Sequence, residues 1–260
     1  MMNEAEPRGE VDRQTLLPAP DAVRYNYGGR CWWCGGVAGS REHKYKRSDL
    51  VREFGAGSWK DSGGVVRVRD GQGMQDVQGA GSESLTFPKV LCMTCNNARS
   101  QAFDRSYDAF AEYFCQNEAA LLSEPAFDLR KIYGHDWRTR LGFLVRYWVK
   151  HICCRLAEGG VRLPDELIGF MDGRGIVPPH LRLQLRLWAE FVDMVESCNV
   201  DVGGFGTGDL EAEYSKSRQC ITTAWSNLSY RSLRLDYYFE LDTAYGWTNL
   251  DGPLMRLRIF

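Results

Sequence analysis

Long hydrophobic runs are missing from this chain of 260 residues. No stretch stays apolar for the roughly 20 residues that a membrane-spanning helix requires. Residues 1–20 are polar, carry charges of both signs and contain prolines, so the apolar centre of a secretory signal is missing as well. We therefore expect a soluble, cytoplasmic protein with no membrane partner.

A large excess of one charge is also missing. The chain has 32 Lys and Arg residues against 34 Asp and Glu residues, which gives a net charge of −2 and a pI of about 6.1. This balance argues against a surface coated with positive charge for indiscriminate nucleic-acid binding, but it permits a local basic strip. One such strip surrounds His43 and includes Arg41, Lys44, Lys46, Arg47 and Arg52. It is either a solvated segment of mixed charge or a surface that faces phosphates.

Two familiar sequence patterns are absent. No unit of 20 to 50 residues repeats, which excludes a solenoid. The glycine-rich stretch 203–208 lacks the Lys-Ser/Thr ending of a phosphate-binding loop. We interpret this stretch as a plain loop and give nucleotide binding there little weight.

Cysteine, in contrast, is plentiful, with nine residues. Four of them form two hooks, Cys31-Trp32-Trp33-Cys34 and Cys92-Met93-Thr94-Cys95. Each hook can offer two thiolates to one tetrahedral ion, so we predict a structural Zn²⁺ held by all four cysteines. Buried cysteines without a metal, or a disulfide framework, are the alternatives. The five remaining cysteines lie in apolar surroundings typical of reduced, buried thiols: Cys115, Cys153, Cys154, Cys198 and Cys220.

The residues beside the hooks add a second pattern. Glu42-His43 lies between the hooks, and Asn96 directly follows the second one. This arrangement resembles the HNH (ββα-metal, His-Me finger) endonuclease family, and above all its endonuclease VII-like branch, where the order is C-x-x-C, Asp-His, C-x-x-C-Asn. The resemblance covers roughly residues 31–104. The chain departs from that branch in having Glu42 in place of aspartate and Lys44-Tyr45-Lys46 after the histidine.

The resemblance implies a role for each residue. His43 would act as the general base, because a neutral imidazole can take a proton from water near pH 7. Glu42 and Asn96 would hold a catalytic Mg²⁺ or Mn²⁺ through oxygen atoms. Residues adjacent in a strand point to opposite faces, so Glu42 and His43 can share a site only if the ribbon twists or bulges there. The expected contacts to substrate are Arg41, Lys44, Lys46 and Arg99. Asn97 and Asp104 are secondary candidates for an assisting role, and exposed or capping positions explain them equally well.

We therefore expect a metal-dependent HNH-like endonuclease that hydrolyses phosphodiester bonds, with nucleic acid, and DNA in the first place, as its partner. One alternative is a catalytically inactive, zinc-stabilised module that binds nucleic acid or protein. Another is a redox or metallo-enzyme of a different class that uses the hooks or Cys153-Cys154, although adjacent cysteines on an apolar helix argue against it. The joint presence of Glu42, His43 and Asn96 favours the nuclease.

The expected fold is α+β. A flexible tail (1–24) precedes a zinc-stapled HNH-like module (25–122) with a β-rich insertion over 55–82, and an accessory region follows (123–260). That region is predicted to be mainly helical and to end in a small antiparallel sheet. It could sense a ligand, hold substrate, form a homo-oligomer or bind a regulatory partner.

Hydrophobic spacing places the individual elements. Strands are predicted at 40–45, 65–69, 85–91, 221–225, 233–241 and 254–260, and a helical turn at 50–54. Helices are predicted from residue 95 onward, over 137–157, over 165–171 and after Pro178-Pro179. The last of these rests on helical spacing of Leu181, Leu185, Trp188, Val192 and Val195. His151, beside the apolar stripe of its helix, is expected to be packed rather than a ligand.

Overall fold

The computed structural model describes residues 12–14, 20–60, 65–69, 73–191, 204–243 and 254–259. The helices are α1 (Arg47–Phe54), α2 (Gln101–Ser123), α3 (Leu129–Tyr133), α4 (Trp137–Glu158) and α5 (Asp165–Met171). The first six strands are β1 (Asp12–Gln14), β2 (Ser40–His43), β3 (Val65–Arg69), β4 (Gly73–Val77), β5 (Thr86–Leu91) and β6 (Ala126–Asp128). The others are β7 (Leu181–Leu187), β8 (Phe205–Thr207), β9 (Glu211–Ser215), β10 (Cys220–Tyr230), β11 (Leu233–Glu240), β12 (Leu254–Arg256) and β13 (Arg258–Ile259). None of the described helices is long and apolar enough to cross a membrane.

The N-terminal half is built on a two-stranded ribbon. Strand β2 pairs antiparallel with β5, and the β3–β4 hairpin is inserted between them, as the sequence predicts. The sequence between the two strands contains Asp70-Gly71, a pair typical of hairpin turns, and these residues lie outside the described ranges. Strand β5 leads into the second cysteine hook, and a π-helical segment, Thr94–Arg99, connects that hook to α2. This order places both hooks and β2 at one end of α2.

Helices α2 and α4 form the centre of the molecule. The helix predicted from residue 95 onward is present as α2, and its apolar stripe is buried: Phe103, Tyr107, Phe110, Ala111 and Phe114. Rings from the two helices meet, with Tyr107 and Tyr147 stacked at a centroid distance of 4.0 Å. Helices α4 and α5 occupy the ranges that their apolar spacing predicts.

The predicted C-terminal antiparallel sheet is present and is larger than expected. Its order is β1-β9-β10-β11-β7-β13, with β8 beside β10, and every pair is antiparallel except β13 with β7. The predicted helix after Pro178-Pro179 is wrong, because this segment forms strand β7. Leucines at every second position, 181 to 187, are buried, and a spacing of four suits a strand as well as a helix. Val192 and Val195 lie outside the described residues.

One hydrophobic core runs through both predicted regions. Trp32 and Phe87, close to the cysteine hooks in the sequence, belong to the same buried cluster as Trp148 of α4 and Leu183 of β7. The predicted boundary between residues 122 and 123 therefore does not separate two cores. The predicted flexible tail also contains structure, because β1 pairs with β9 and Val23 is buried.

His151 connects α4 to the N-terminal half. Its Nε2 lies 2.6 Å from the carbonyl oxygen of Lys44, and its ring meets Phe87 edge to face. The carbonyl can only accept, so Nε2 carries the proton. The expectation of a packed, hydrogen-bonded histidine is confirmed. Burial lowers the pKa of His151 to about 4 from an ordinary 6.5.

This shift predicts a pH-dependent stability. The folded protein keeps His151 neutral, whereas the unfolded chain takes up a proton below pH 6.5, so the stabilisation is complete above pH 6.5 and is lost as the pH falls towards 4. We expect a loss of about 3 kcal/mol over this range from this residue. Denaturant titrations at pH 6.5 and pH 4 give the unfolding free energy of each protein. Between these pH values, wild type should lose about 3 kcal/mol more than His151→Gln. Equal losses in the two proteins would contradict the assignment.

Candidate metal centre and active site

The four hook cysteines converge on one point. Their sulfur atoms all lie within 4.8 Å of one another, and Cys34 and Cys92 are 3.6 Å apart. Tetrahedral zinc with Zn–S bonds near 2.3 Å requires sulfur pairs about 3.8 Å apart, so the donor set and spacing fit zinc. Among the described residues, no other group of three or more His, Cys, Asp or Glu side chains could hold a metal ion. The predicted metal-binding cysteine cluster is confirmed.

The electrostatics of the cluster also suit a cation. The backbone N–H of Cys95 donates to Cys92 Sγ at 3.3 Å and lowers the pKa of Cys92 to about 7. Burial raises the pKa of Cys31 and Cys95, so thiolates at these positions need a compensating positive charge. Arg99 contributes part of it, because its Nη1 lies 3.4 Å from Cys95 Sγ.

Asn96 lies directly against strand β2. Its Nδ2 donates to Ser40 Oγ at 2.8 Å and to the carbonyl oxygen of Arg41 at 3.3 Å. Its Oδ1 is buried and has no hydrogen-bond partner. The residue as a whole is only 9% exposed. The residue that directly follows the second hook thus lies against the strand that carries Glu42 and His43.

Glu42 is joined to a lysine that the sequence analysis did not single out. The Nζ of Lys150 lies 3.3 Å from Glu42 Oε1, 3.2 Å from Ser100 Oγ and 3.5 Å from Asp104 Oδ1. The Lys150 side chain is 1% exposed and that of Glu42 is 12% exposed. Burial alone would lower the pKa of Lys150, but the charges of Glu42 and Asp104 raise it, so the ammonium persists.

His43 makes its contacts on the other side of β2. Its Nε2 lies 3.2 Å from the carbonyl oxygen of Ala80, in the segment that follows the inserted hairpin. The side chain is half-buried, and burial lowers the pKa of His43 below 6.5. The β2–β5 register shifts on both sides of Arg41, but the extra residues lie on β5, so β2 keeps its alternation. The structure therefore brings Glu42 and Asn96 to one side of β2 and leaves His43 at the other.

All four predicted substrate-contacting cations are engaged with carboxylates. Lys44 pairs with Glu158 at 2.9 Å, Lys46 with Asp104 at 2.6 Å, Arg41 with Glu83 at 2.6 Å and Arg99 with Asp172. Both lysine side chains are largely buried, at 6% and 16% exposure. In this arrangement both ammonium groups are too deeply buried to meet a phosphate of a bound nucleic acid.

Two exposed cations near His43 have no such partner in the described part of the chain. Arg47 begins α1 four residues after His43, and its charge acts on the His43 ring. Lys89 lies opposite Arg41 in the β2–β5 ribbon. Arg47 belongs to the basic strip of the sequence. Lys89 is a single lysine in a predicted strand, and the sequence does not indicate that it lies near His43.

No family model, curated protein or solved structure matches this chain. The likeness to HNH nucleases therefore stays a resemblance of residue pattern. It is carried by the two hooks together with Glu42, His43 and Asn96.

Removal of the Lys150 charge should strongly destabilise the fold. The Lys150→Met substitution leaves the Glu42 carboxylate, only 12% exposed, without its ion-pair partner, whereas Asp104 keeps Lys46. Breaking a buried ion pair in this way costs about 3–5 kcal/mol. Lys131→Met, at an exposed position of α3, should change stability by less than about 0.5 kcal/mol. Chemical denaturation measures both, and equal values would show that the buried network contributes nothing.

Proposed function

We propose that this chain is a zinc-stabilised, metal-dependent endonuclease of the HNH type that hydrolyses phosphodiester bonds in DNA. The observation that carries the proposal is the amide oxygen of Asn96. The carbonyl of Arg41 can only accept a hydrogen bond, so Nδ2 must face it and Oδ1 must point away. A buried amide oxygen without a partner is costly, and a bound cation would satisfy it.

Glu42 supplies the second oxygen for such a cation. Lys150 engages Oε1 and leaves Oε2 as the donor atom. A bound Mg²⁺ or Mn²⁺ would polarise the phosphate and stabilise the charge that develops on the leaving oxygen. Lys150 then acts as a positioning residue, because it holds the Glu42 carboxylate ionised and in one orientation.

His43 has the protonation state that a general base needs. Because the Ala80 carbonyl can only accept, Nε2 carries the proton and Nδ1 keeps its lone pair. The lowered pKa keeps the ring neutral near pH 7, so Nδ1 can take a proton from the attacking water. His43 and Glu42 contact different sides of β2, so we propose that the scissile phosphate spans the edge of the strand.

Arg47 and Lys89 replace the buried lysines as the proposed substrate contacts. Both are exposed cations: Lys89 lies in the β2–β5 ribbon opposite Arg41, and Arg47 begins α1 four residues after His43. Phosphate contacts of this kind position a nucleic acid and make its binding depend on salt. Arg41 remains a candidate, because its partner Glu83 is well exposed and its ion pair is weak.

The metal-binding role of Asn96 is tested by a pair of adjacent asparagines. Asn96→Ala should weaken Mn²⁺ binding, measured by electron paramagnetic resonance on the zinc-loaded protein, at least about tenfold, equivalent to 1.4 kcal/mol. Asn97→Ala is the matched control, because Asn97 is the next residue and is exposed. DNA cleavage should fall with Mn²⁺ affinity in the first variant only. Equal Mn²⁺ binding in both variants would remove the basis of the proposal.

A second candidate function is a zinc-stabilised binding module without catalysis. The ion pair of Glu42 with the buried Lys150 favours it, because the ammonium already provides Glu42 with a permanent positive partner. Under this alternative, the wild-type protein binds nucleic acid or protein, binds no Mn²⁺ and cleaves nothing. The same Mn²⁺ titration separates the two candidates.

A further inference from the structure

The outward face of the seven-stranded sheet carries a groove of about 830 Å³. The inward face of the same sheet buries leucines such as Leu183 and Leu235 in the core. Sites for small molecules usually have volumes of roughly 300–1,000 Å³, so the groove has the size of such a site. It is distinct from the zinc centre and from His43, because none of their residues line it.

An aromatic row crosses the floor of the groove. Trp225 lies directly opposite Tyr238 on β11 and opposite Glu211 on β9, and Tyr238 lies opposite Arg182 on β7. The rings of Trp225 and Tyr238 are nearly parallel, at 22°, with centroids 6.0 Å apart. The guanidinium of Arg182 lies 5.5 Å from the centre of the Tyr238 ring. The row thus has a carboxylate at one end and a guanidinium, already engaged with an aromatic ring, at the other.

Carboxylates outnumber cations in the lining. Four acidic residues face two arginines, which gives a net charge of −2, and the set is Asp209, Glu211, Glu213, Asp236, Arg182 and Arg234. This surplus repels phosphates and other anions. The many charged groups also make the groove unsuitable for a purely apolar ligand, because binding would remove their water.

Contacts within the protein engage two of the four carboxylates in the groove. Asp236 accepts from Arg234 Nε at 2.8 Å and lies 3.1 Å from Arg186 Nε, and Glu213 accepts from Thr223. Within the ranges that the structure describes, Asp209 and Glu211 form no ion pair. These two carboxylates are therefore the acceptors that a ligand in the groove would meet, and that of Glu211 lies opposite Trp225.

We propose that this groove binds a small organic cation, with an amine or guanidinium group placed against Trp225 and between the carboxylates of Glu211 and Asp209. Aromatic faces attract such cations, and indole attracts them most strongly. A carboxylate beside the ring adds a charge-assisted hydrogen bond. The proposal does not depend on nuclease activity, because the groove and the His43 region share no residue.

Isothermal titration calorimetry on the full-length, zinc-loaded protein tests the proposal. Spermidine represents amines and agmatine represents guanidinium compounds, while adenosine monophosphate and glucose represent anionic and neutral ligands. We expect one-to-one binding of at least one cationic probe, weakened by added salt, and no binding of the other two. The preferred cationic probe identifies the group that the groove recognises.

Two variants locate the binding in the groove. Glu211→Gln keeps the shape of the side chain and should weaken the binding of the cation about tenfold, and Trp225→Leu should weaken it at least as much. Glu240→Gln is the matched control. Glu240 lies on β11, opposite Thr223 of β10, and does not line the groove. It should leave the affinity unchanged.

Three results would overturn the proposal. The first is the failure of both cationic probes to bind wild type. The second is cation binding that survives Glu211→Gln and Trp225→Leu in variants with unchanged circular dichroism. The third is binding of adenosine monophosphate or glucose in preference to both cations, which would assign the groove to another class of ligand.

Discussion

Cys95→Ser should yield a protein that lacks zinc and has lost its cooperative unfolding transition. Cys95 is buried, and its sulfur is one of four that meet within 4.8 Å. Structural zinc contributes about 10–16 kcal/mol to the folding of small zinc domains. The net stability of a folded domain is only about 5–15 kcal/mol, so the loss of this site should exceed what the core can compensate.

The matched control for this substitution is Cys220→Ser. Cys220 is a half-buried, free cysteine in β10, far from the hooks in the sequence. This variant should retain one zinc per chain and unfold within a few degrees of wild type. Elemental analysis and thermal unfolding followed by circular dichroism measure both quantities. A Cys95→Ser protein that melts like wild type would show that the cysteines do not form a structural metal site.

His43→Ala should abolish DNA cleavage while leaving the fold intact. General-base catalysis by a positioned side chain contributes about 10²–10⁴-fold to the rate, so the turnover number should fall by that factor. The structural cost should be small, because the half-buried ring makes one hydrogen bond, to the Ala80 carbonyl. Single-turnover cleavage, together with zinc content and thermal stability, gives the required measurements.

His135→Ala serves as its control. His135 is exposed, next to the start of α4, and contacts neither the cysteine cluster nor β2. Its cleavage rate should equal that of wild type. If both variants cut DNA equally well, His43 is not the base, and the resemblance to HNH nucleases does not extend to catalysis.

The sequence reveals those parts of the structure that local spacing determines. A C-x-x-C hook brings two sulfur atoms together through its own turn, so two hooks predict one metal site. Apolar residues at helical spacing predict α2 and α4, because these helices bury one long stripe. The four-residue spacing of Leu181 and Leu185 fits a helix as well as a strand, which is why the sequence predicts a helix there. Leu183 between them fits only the two-residue period of strand β7.

Contacts between distant segments could not be predicted in the same way. In the sequence, Lys150 is one of several cations on α4, and the spacing of residues along the helix does not indicate that it contacts Glu42. In the sequence, Lys44 is likewise only a basic residue next to His43. Only the structure shows that Glu158, at the end of α4, forms an ion pair with it. The unpartnered oxygen of Asn96 depends on three hydrogen-bonding atoms from two segments, and only the folded arrangement reveals it.

The most direct test of the central claim is metal-dependent cleavage by the purified wild-type protein. The substrates are plasmid, linear duplex, single-stranded DNA and RNA, each with Mg²⁺ or Mn²⁺ and after removal of these ions under conditions that elemental analysis shows to retain zinc. We predict cleavage of at least one DNA substrate only when Mg²⁺ or Mn²⁺ is present. No cleavage of any substrate under any condition, or cleavage that persists without these ions, would contradict the proposed mechanism.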